Sequence, residues 1–294
     1  MVRGVGTAMI TPFRDGEVDY EALRRFVRFQ IENDVHFLLV LGTTGEAPAV
    51  NDDEREKIVS TVLEEVEGKV PVVVGAGTNS TEKTLKMVKS AEKLGADGVL
   101  LVTPYYNKPT QDGLYEHYKF ISERTDLGII LYNVPGRTGV NMLPDTVVRI
   151  AEDLKNVVGL KEASGNMSQV DDVIFKVKSA REDFLVYSGN DDQAFHLMCS
   201  GGDGVISVVS NMVPKDISRM CEFLFEGNLK EALEIHKKYF KLMKGLFIET
   251  NPIPVKAGLS LMGLIKNELR LPLVPAREST VKKLKEIMKG CGLL

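Results

Sequence analysis

Lys161 is the residue whose position in the chain most directly allows covalent chemistry. It follows the apolar run of residues 157–160, so its amine would leave a buried strand at that strand's end. Burial disfavours the ammonium form, lowers the pKa and leaves a neutral amine that can attack a carbonyl carbon. The pattern alone leaves a second interpretation open, in which Lys161 only pairs with Glu162 or another nearby carboxylate.

Four further side chains lie where they could assist such an amine. Tyr132 ends another apolar run, and its phenol could pass protons to and from a carbinolamine or simply satisfy a buried hydrogen bond. Thr43 and Thr44 occupy a glycine-flanked turn, which could hold a carboxylate or be ordinary turn chemistry. The guanidinium of Arg137 could bind a carboxylate through two hydrogen bonds, although surface arginines are common.

These residues can act together only if strands and helices bring them to one place. The chain has a repeated strand–helix pattern that can do so. Apolar, β-branched runs alternate with segments that have apolar residues at helical spacing, at intervals of about 28 residues. No dinucleotide or phosphate-loop fingerprint occurs, so eight strand–helix units predict an α/β fold, a (β/α)8 TIM barrel with its site at the strand ends. The runs begin near Val5, Phe37, Val70, Gly98, Gly128, Val157, Phe184 and Gly204.

The strand signal stops after about Val213. Helical patterns follow near residues 216–225, 229–247, 254–262 and 279–289, and several prolines separate them. We therefore predict a catalytic barrel over residues 1–226 and a C-terminal helical domain over residues 227–294.

Composition excludes several classes of partner. Lys and Arg total 37 and Asp and Glu total 41, for a net charge of −4 with both signs mixed, which argues against nucleic-acid binding. Apolar runs are too short to span a membrane, and no signal-peptide pattern opens the chain. Neither the histidines nor Cys199, Cys221 and Cys291 have metal-ligand or disulfide-framework spacing, so we expect a cytoplasmic protein without a metal or other cofactor.

Seven motifs, taken in order along nearly the whole chain, resemble the dihydrodipicolinate synthase branch of the pyruvate-dependent class I aldolase family, which also contains N-acetylneuraminate lyase. Each motif is weakly specific alone, but their joint order is a strong signal. The family fold is a (β/α)8 barrel with a C-terminal helical domain, in agreement with the periodicity. The motifs are GTTGE (42–46), PYYN (104–107), YNVPGRTG (132–139), GLKEASG (159–165), GVISV (204–208), NPIPVK (251–256) and LRLPL (269–273).

The resemblance implies a catalytic role for four residues. Lys161 would form a Schiff base with the C2 carbonyl of pyruvate, and Tyr132 would donate and accept the protons. Thr43 would form a proton relay with Tyr132 and with Tyr106, which is expected to reach in from the neighbouring subunit. A homotetramer built from two tight dimers follows from the same resemblance.

Substrate-binding roles are implied for four others. Thr44 and Ile206 would contact pyruvate, and Gly189 would line the same pocket. Arg137 would bind the carboxylate of L-aspartate-β-semialdehyde, the second substrate. The product would be 4-hydroxy-tetrahydrodipicolinate, and the reaction would be the first committed step towards diaminopimelate and lysine. Two rivals are a relative that cleaves another 2-keto acid, such as a neuraminate lyase, and a catalytically silent barrel that senses a small ligand.

One departure from the family concerns regulation. Lysine-inhibited relatives commonly place histidines after GTTGE and a glutamate on the helix after strand 3. Here Asp52, Arg55 and Lys83 occupy the matching positions, while Asn79 and Tyr105 keep the family's residue types. Lys83 would repel the α-ammonium of lysine, so we predict that inhibition by lysine is absent or weak.

Overall fold

A computed structural model describes residues 2–294, and within them eight parallel strands form a closed barrel in chain order. The (β/α)8 prediction is confirmed, and every predicted run begins within two residues of an observed strand. A two-stranded hairpin, β2 (Phe13–Arg14) and β3 (Glu17–Val18), lies outside the barrel sheet. The barrel strands are β1 (Gly4–Ala8), β4 (Phe37–Val40), β5 (Val72–Gly75), β6 (Gly98–Val102), β7 (Gly128–Asn133), β8 (Val157–Glu162), β9 (Leu185–Ser188) and β10 (Gly204–Ser207).

Helices follow the strands, with two short 3-10 helices at Ala47–Ala49 and Val209–Asn211. The four helical segments predicted near the C-terminus all occur. The helices are α1 (Tyr20–Ile31), α2 (Asp52–Val66), α3 (Thr81–Leu94), α4 (Gln111–Ser122), α5 (Pro135–Thr138), α6 (Pro144–Asp153), α7 (Met167–Ala180), α8 (Asp191–Cys199), α9 (Pro214–Phe225), α10 (Leu229–Gly245), α11 (Ile253–Leu261) and α12 (Glu278–Gly290).

The chain forms two compact units. One consists of residues 2–3 and 73–206, and the other of Gly4–Val72 and Ser207–Leu294. The first unit contains most of β5 and continues through α8, and its strands are buried along most of their length. Strands that are apolar on both faces are typical of parallel sheets covered by helices. The division into a barrel of residues 1–226 and a helical domain of residues 227–294 stays a prediction.

The second unit contains β1, β4, α1 and α2 and all four C-terminal helices. In α2, the first backbone N–H groups are satisfied by side chains. Asn51 accepts a hydrogen bond from the backbone N–H of Glu54, and the Glu54 carboxylate accepts one from the backbone N–H of Asn51. This capping box fixes the start of α2, shortly after the glycine-flanked turn that holds the two threonines.

Candidate active site

Lys161 lies near the end of β8, in the first unit, and its side chain is almost enclosed, with a relative exposure of 5%. Burial lowers the pKa of its amine to about 8; the Asp191 carboxylate opposes this shift, and the Arg137 guanidinium adds to it. A lysine with this pKa has a substantial neutral fraction near neutral pH. The structure therefore places an amine capable of nucleophilic attack at the predicted position.

Tyr132 is the direct neighbour of Lys161 across the sheet. Strand β7 pairs with β8 in the register that sets Tyr132 opposite Lys161, so their side chains project to the same side. The Nζ of Lys161 lies 4.6 Å from the centroid of the Tyr132 ring. Both side chains are buried, so the amine and the aromatic ring are neighbours away from solvent.

Gly189 is required by the path of the lysine side chain. It directly follows β9, and its backbone N–H donates to the carbonyl of Glu162 at 2.7 Å. A Cβ at this position would lie 3.1 Å from Cε of Lys161 and 2.6 Å from Cβ of Ala163. Only glycine fits here without displacing Ala163 or the lysine side chain, so the predicted lining role is supported by a steric observation.

Glu162 is buried, and its carboxylate is bound by groups other than the candidate nucleophile. It accepts hydrogen bonds from the backbone N–H of Ser164 at 2.6 Å and from the side-chain amide of Asn133 at 3.0 Å. Consecutive strand residues point to opposite faces of the sheet, so Glu162 faces away from the side that Lys161 occupies. The interpretation in which Lys161 merely pairs with Glu162 is therefore not supported.

Arg137 and Tyr106 are exposed and lie on connected loops. Arg137 is on the single-turn helix α5, and the backbone N–H of Tyr106 donates to the carbonyl of Thr138 in the same turn at 3.4 Å. The Tyr106 side chain is 89% exposed, and its backbone has the left-handed φ of 74° that is uncommon for a non-glycine residue. Within this single chain Tyr106 points to solvent.

Thr43 and Thr44 belong to the second unit, in the turn between β4 and the 3-10 helix Ala47–Ala49. The side-chain amide of Asn251 donates to the Thr44 hydroxyl at 2.9 Å. A hydroxyl that accepts one hydrogen bond can donate its own proton in another direction. The Thr44 hydroxyl can thus donate its own proton to a further acceptor.

Two further features bear on the predicted site. Ile206 is fully buried in β10, where it can supply an apolar contact. Asp191, at the start of α8, influences the charge of Lys161, a role that the sequence interpretation misses. Strand spacing alone does not show which carboxylate faces the amine, so this electrostatic role becomes visible only in the structure.

Lys256 is a second buried lysine whose pKa burial lowers to about 8, an effect that the nearby Glu46 carboxylate opposes. Its side chain has no exposed surface. The ammonium forms an ion pair with Glu46 and donates to the carbonyl of Glu268 at 2.9 Å. Because these partners enclose Nζ, Lys256 is not available to a substrate carbonyl, and Lys161 is the better candidate nucleophile.

No group of three or more His, Cys, Asp or Glu side chains in residues 2–294 is arranged to hold a metal ion. Over the same residues, no helix combines the length and apolar character that crossing a bilayer needs.

The fold and the buried amine together define a class, the barrel enzymes with a lysine at a strand end. The dihydrodipicolinate synthetase family matches residues 1–291, and the chain belongs to this family. The chain is 68% identical over all 294 residues to the 4-hydroxy-tetrahydrodipicolinate synthase of Thermotoga neapolitana, and both chains are covered completely.

Solved structures of similar proteins have the same backbone. A dihydrodipicolinate synthase crystal structure from Thermotoga maritima is 66% identical, with a TM-score of 0.99 and complete coverage of both chains. A structure described as the first monomeric dihydrodipicolinate synthase variant is also 66% identical, with a TM-score of 0.99 over 100% of this chain and 98% of that one. The individual roles of the eight predicted site residues stay predictions.

Proposed function

We propose that this chain condenses pyruvate with L-aspartate-β-semialdehyde through a Schiff base on Lys161 and releases 4-hydroxy-tetrahydrodipicolinate. The single observation that carries the proposal is the buried Lys161 amine beside the Tyr132 ring. Membership of the family and the names of the 66–68% identical relatives support the same reaction.

Lys161 supplies the nucleophile. With a pKa of about 8, roughly a tenth of the amine is neutral at pH 7, against about 0.03% for an unperturbed lysine. Its lone pair attacks C2 of pyruvate to form a carbinolamine. The carbinolamine hydroxyl takes a proton and leaves as water, and the C2–N bond becomes the imine.

Tyr132 is the proton carrier in this scheme because its phenol lies beside the amine. It donates the proton that lets water leave and then accepts one from C3 of the imine, which gives the enamine. C3 of the enamine attacks the aldehyde carbon, and the resulting alkoxide takes a proton. The amino group of the second substrate then displaces Lys161 from C2, which closes the ring and restores the free lysine.

The two carboxylates of the substrates need separate donors. Thr44, whose hydroxyl already accepts from Asn251, would donate to the carboxylate of pyruvate, with Ile206 and Gly189 as apolar walls. The exposed guanidinium of Arg137 would bind the carboxylate of the aldehyde. Its positive charge also favours the neutral form of Lys161.

Thr43 and Tyr106 would complete the proton relay, with Tyr106 entering from a neighbouring subunit of a homotetramer built from two tight dimers. The 89% exposure of Tyr106 within one chain supports a role in another subunit. Light scattering under assay conditions tests the assembly: activity should fall as dimers separate, and a fully active monomer would refute it. The cytoplasmic location stays a prediction, which the reduced thiols of Cys199, Cys221 and Cys291 favour.

Borohydride trapping tests the chemistry. Wild-type protein incubated with pyruvate and borohydride should gain one covalent adduct that peptide mass spectrometry places on Lys161, and Lys161→Ala should gain none. Turnover is then compared for pyruvate with aspartate semialdehyde and pyruvate with N-acetylmannosamine. An absent wild-type adduct would indicate the sensor alternative, and turnover of only the second pair would indicate a lyase of the neuraminate type.

A further inference from the structure

A buried ion pair lies directly behind the turn that contains the two threonines. Glu46, the last residue of the GTTGE turn, and Lys256, on α11, are both almost completely inaccessible to solvent. Their side chains form an ion pair, and Nζ of Lys256 also lies 4.1 Å from the centroid of the Phe13 ring. The other Glu46 carboxylate oxygen accepts a hydrogen bond from the backbone N–H of Arg270 at 3.1 Å.

Such a pair is poor evidence for stability. Removing two charges from water costs free energy that their attraction only partly offsets, and well-packed apolar residues often do as well or better. Buried pairs are more informative where they specify one geometry among several. The position of Glu46, two residues from Thr44, suggests which geometry is specified here.

The backbone of the turn needs such a constraint. Leu41, which directly precedes the turn, and Glu46, which ends it, have left-handed φ values of 55° and 52°. This conformation is unfavourable for residues with a Cβ, and it persists where surrounding contacts impose it. Thr11 supplies one of these contacts, since its hydroxyl donates to the carbonyl of Gly45 at 2.7 Å.

The chain at the start of α11 contacts the turn at two points. Asn251 donates to the Thr44 hydroxyl at 2.9 Å, and Lys256, five residues later, pairs with Glu46. The two contacts are two residues apart in the turn and five residues apart in the segment that leads into α11. Together they fix both the position and the rotation of the turn. Loss of either contact would leave the turn less constrained on the side that faces α11.

We propose that Lys256 is a positioning residue: its ion pair with Glu46 holds the turn so that the Thr43 and Thr44 hydroxyls face the substrate. Lys256 does not touch the reacting atoms. The inference rests on the proposed function, because the geometry of the turn matters for catalysis only if Thr43 moves protons and Thr44 holds pyruvate. Loss of the ion pair should therefore change kcat and KM in protein that is folded and still forms the Schiff base.

The experiment uses the full-length protein with the double substitution Glu46→Gln and Lys256→Met. The double variant leaves no unpaired buried charge, and the side-chain carbonyl of the introduced glutamine can still accept from the backbone N–H of Arg270. Lys178→Met is the matched control, because Lys178 pairs with the buried Asp203 at 2.8 Å. Asp203 directly precedes β10, so this ion pair lies at the start of a strand, whereas the candidate site lies at strand ends. Each variant is measured for melting temperature, for the fraction of chains trapped by pyruvate and borohydride, and for kcat and KM per trapped site.

The double variant should fold and be trapped at saturating pyruvate. Per trapped site, we expect kcat to fall at least tenfold and the KM for pyruvate to rise, because misplacement of about 1 Å is worth up to roughly a hundredfold in rate. Lys178→Met should lose stability and keep both constants. A double variant whose constants stay within twofold of this control would overturn the inference while the proposed function stands.

A double variant that does not fold moves the test to the other contact. Asn251→Ala removes the neutral hydrogen bond to Thr44 and leaves the ion pair intact, and we expect at least a fivefold higher KM for pyruvate. An unchanged KM overturns the two-point attachment. Absence of any adduct on the wild-type protein overturns the proposed function and this inference with it.

Discussion

Replacing Gly189 by alanine introduces a single methyl group beside the nucleophile. The new Cβ would lie 2.6 Å from Cβ of Ala163, 3.1 Å from Cε and 3.2 Å from Cγ of Lys161. Carbon atoms pack favourably at about 3.5–4.0 Å, so Cβ of Ala163 must move by roughly 1 Å and the lysine carbons by a few tenths of an ångström. The lysine side chain is the mobile neighbour, and its displacement takes the amine away from the position that favours attack.

Two magnitudes follow from that shift. Inserting a methyl group into a packed site typically costs about 1–3 kcal/mol of stability. Misplacing a reacting group by about 1 Å can cost roughly a hundredfold in rate. The lysine carbons need to move by less than 1 Å, so we expect kcat/KM for pyruvate to fall about tenfold, while most of the protein stays folded at about 25 °C.

The assay compares Gly189→Ala with Gly290→Ala. Gly290 ends α12, and a Cβ there meets nothing within 4 Å, so the control makes the same chemical change without a steric conflict. Steady-state kinetics, the rate of borohydride trapping and thermal melting are measured for both. Equal trapping rates and equal melting temperatures would show that the Lys161 path does not depend on Gly189.

Three further predictions concern charge. Burial lowers the Lys161 pKa from 10.5 to about 8, so the unfolded state binds more protons between these values and wild-type stability rises with pH there. Lys161→Met should therefore be more stable at pH 7, by about 3 kcal/mol at most, with the gain vanishing near pH 10.5; a constant difference across pH would contradict this. Arg137→Ala should lower kcat/KM for aspartate semialdehyde by an amount equivalent to about 1.5–3 kcal/mol and weaken pyruvate binding much less. Equal losses for the two substrates in steady-state assays would mean that Arg137 only holds its loop. L-Lysine at about 1 mM should leave activity unchanged, and Lys83→Glu should increase inhibition; half-inhibition of the wild type below that concentration would show a functional lysine site.

Strand and helix positions were largely predictable because they depend on local patterns. Apolar runs that recur about every 28 residues predicted every barrel strand to within two residues, and the four C-terminal helices followed from helical spacing and prolines. Lys161 and Tyr132 could be proposed from the sequence for the same reason. Each follows an apolar run, and a barrel brings such positions to one end.

Contacts between distant parts of the chain could be decided only by the tertiary structure. Asp191 modifies the pKa of Lys161 from 30 residues away, and Gly189 is necessary because Ala163 and Lys161 pack too close to its backbone for a Cβ to fit. Glu46 pairs with Lys256 across more than 200 residues, a separation that no local pattern reports. Periodicity records which face of an element is buried, whereas the pKa of an amine depends on the atoms that surround it after folding.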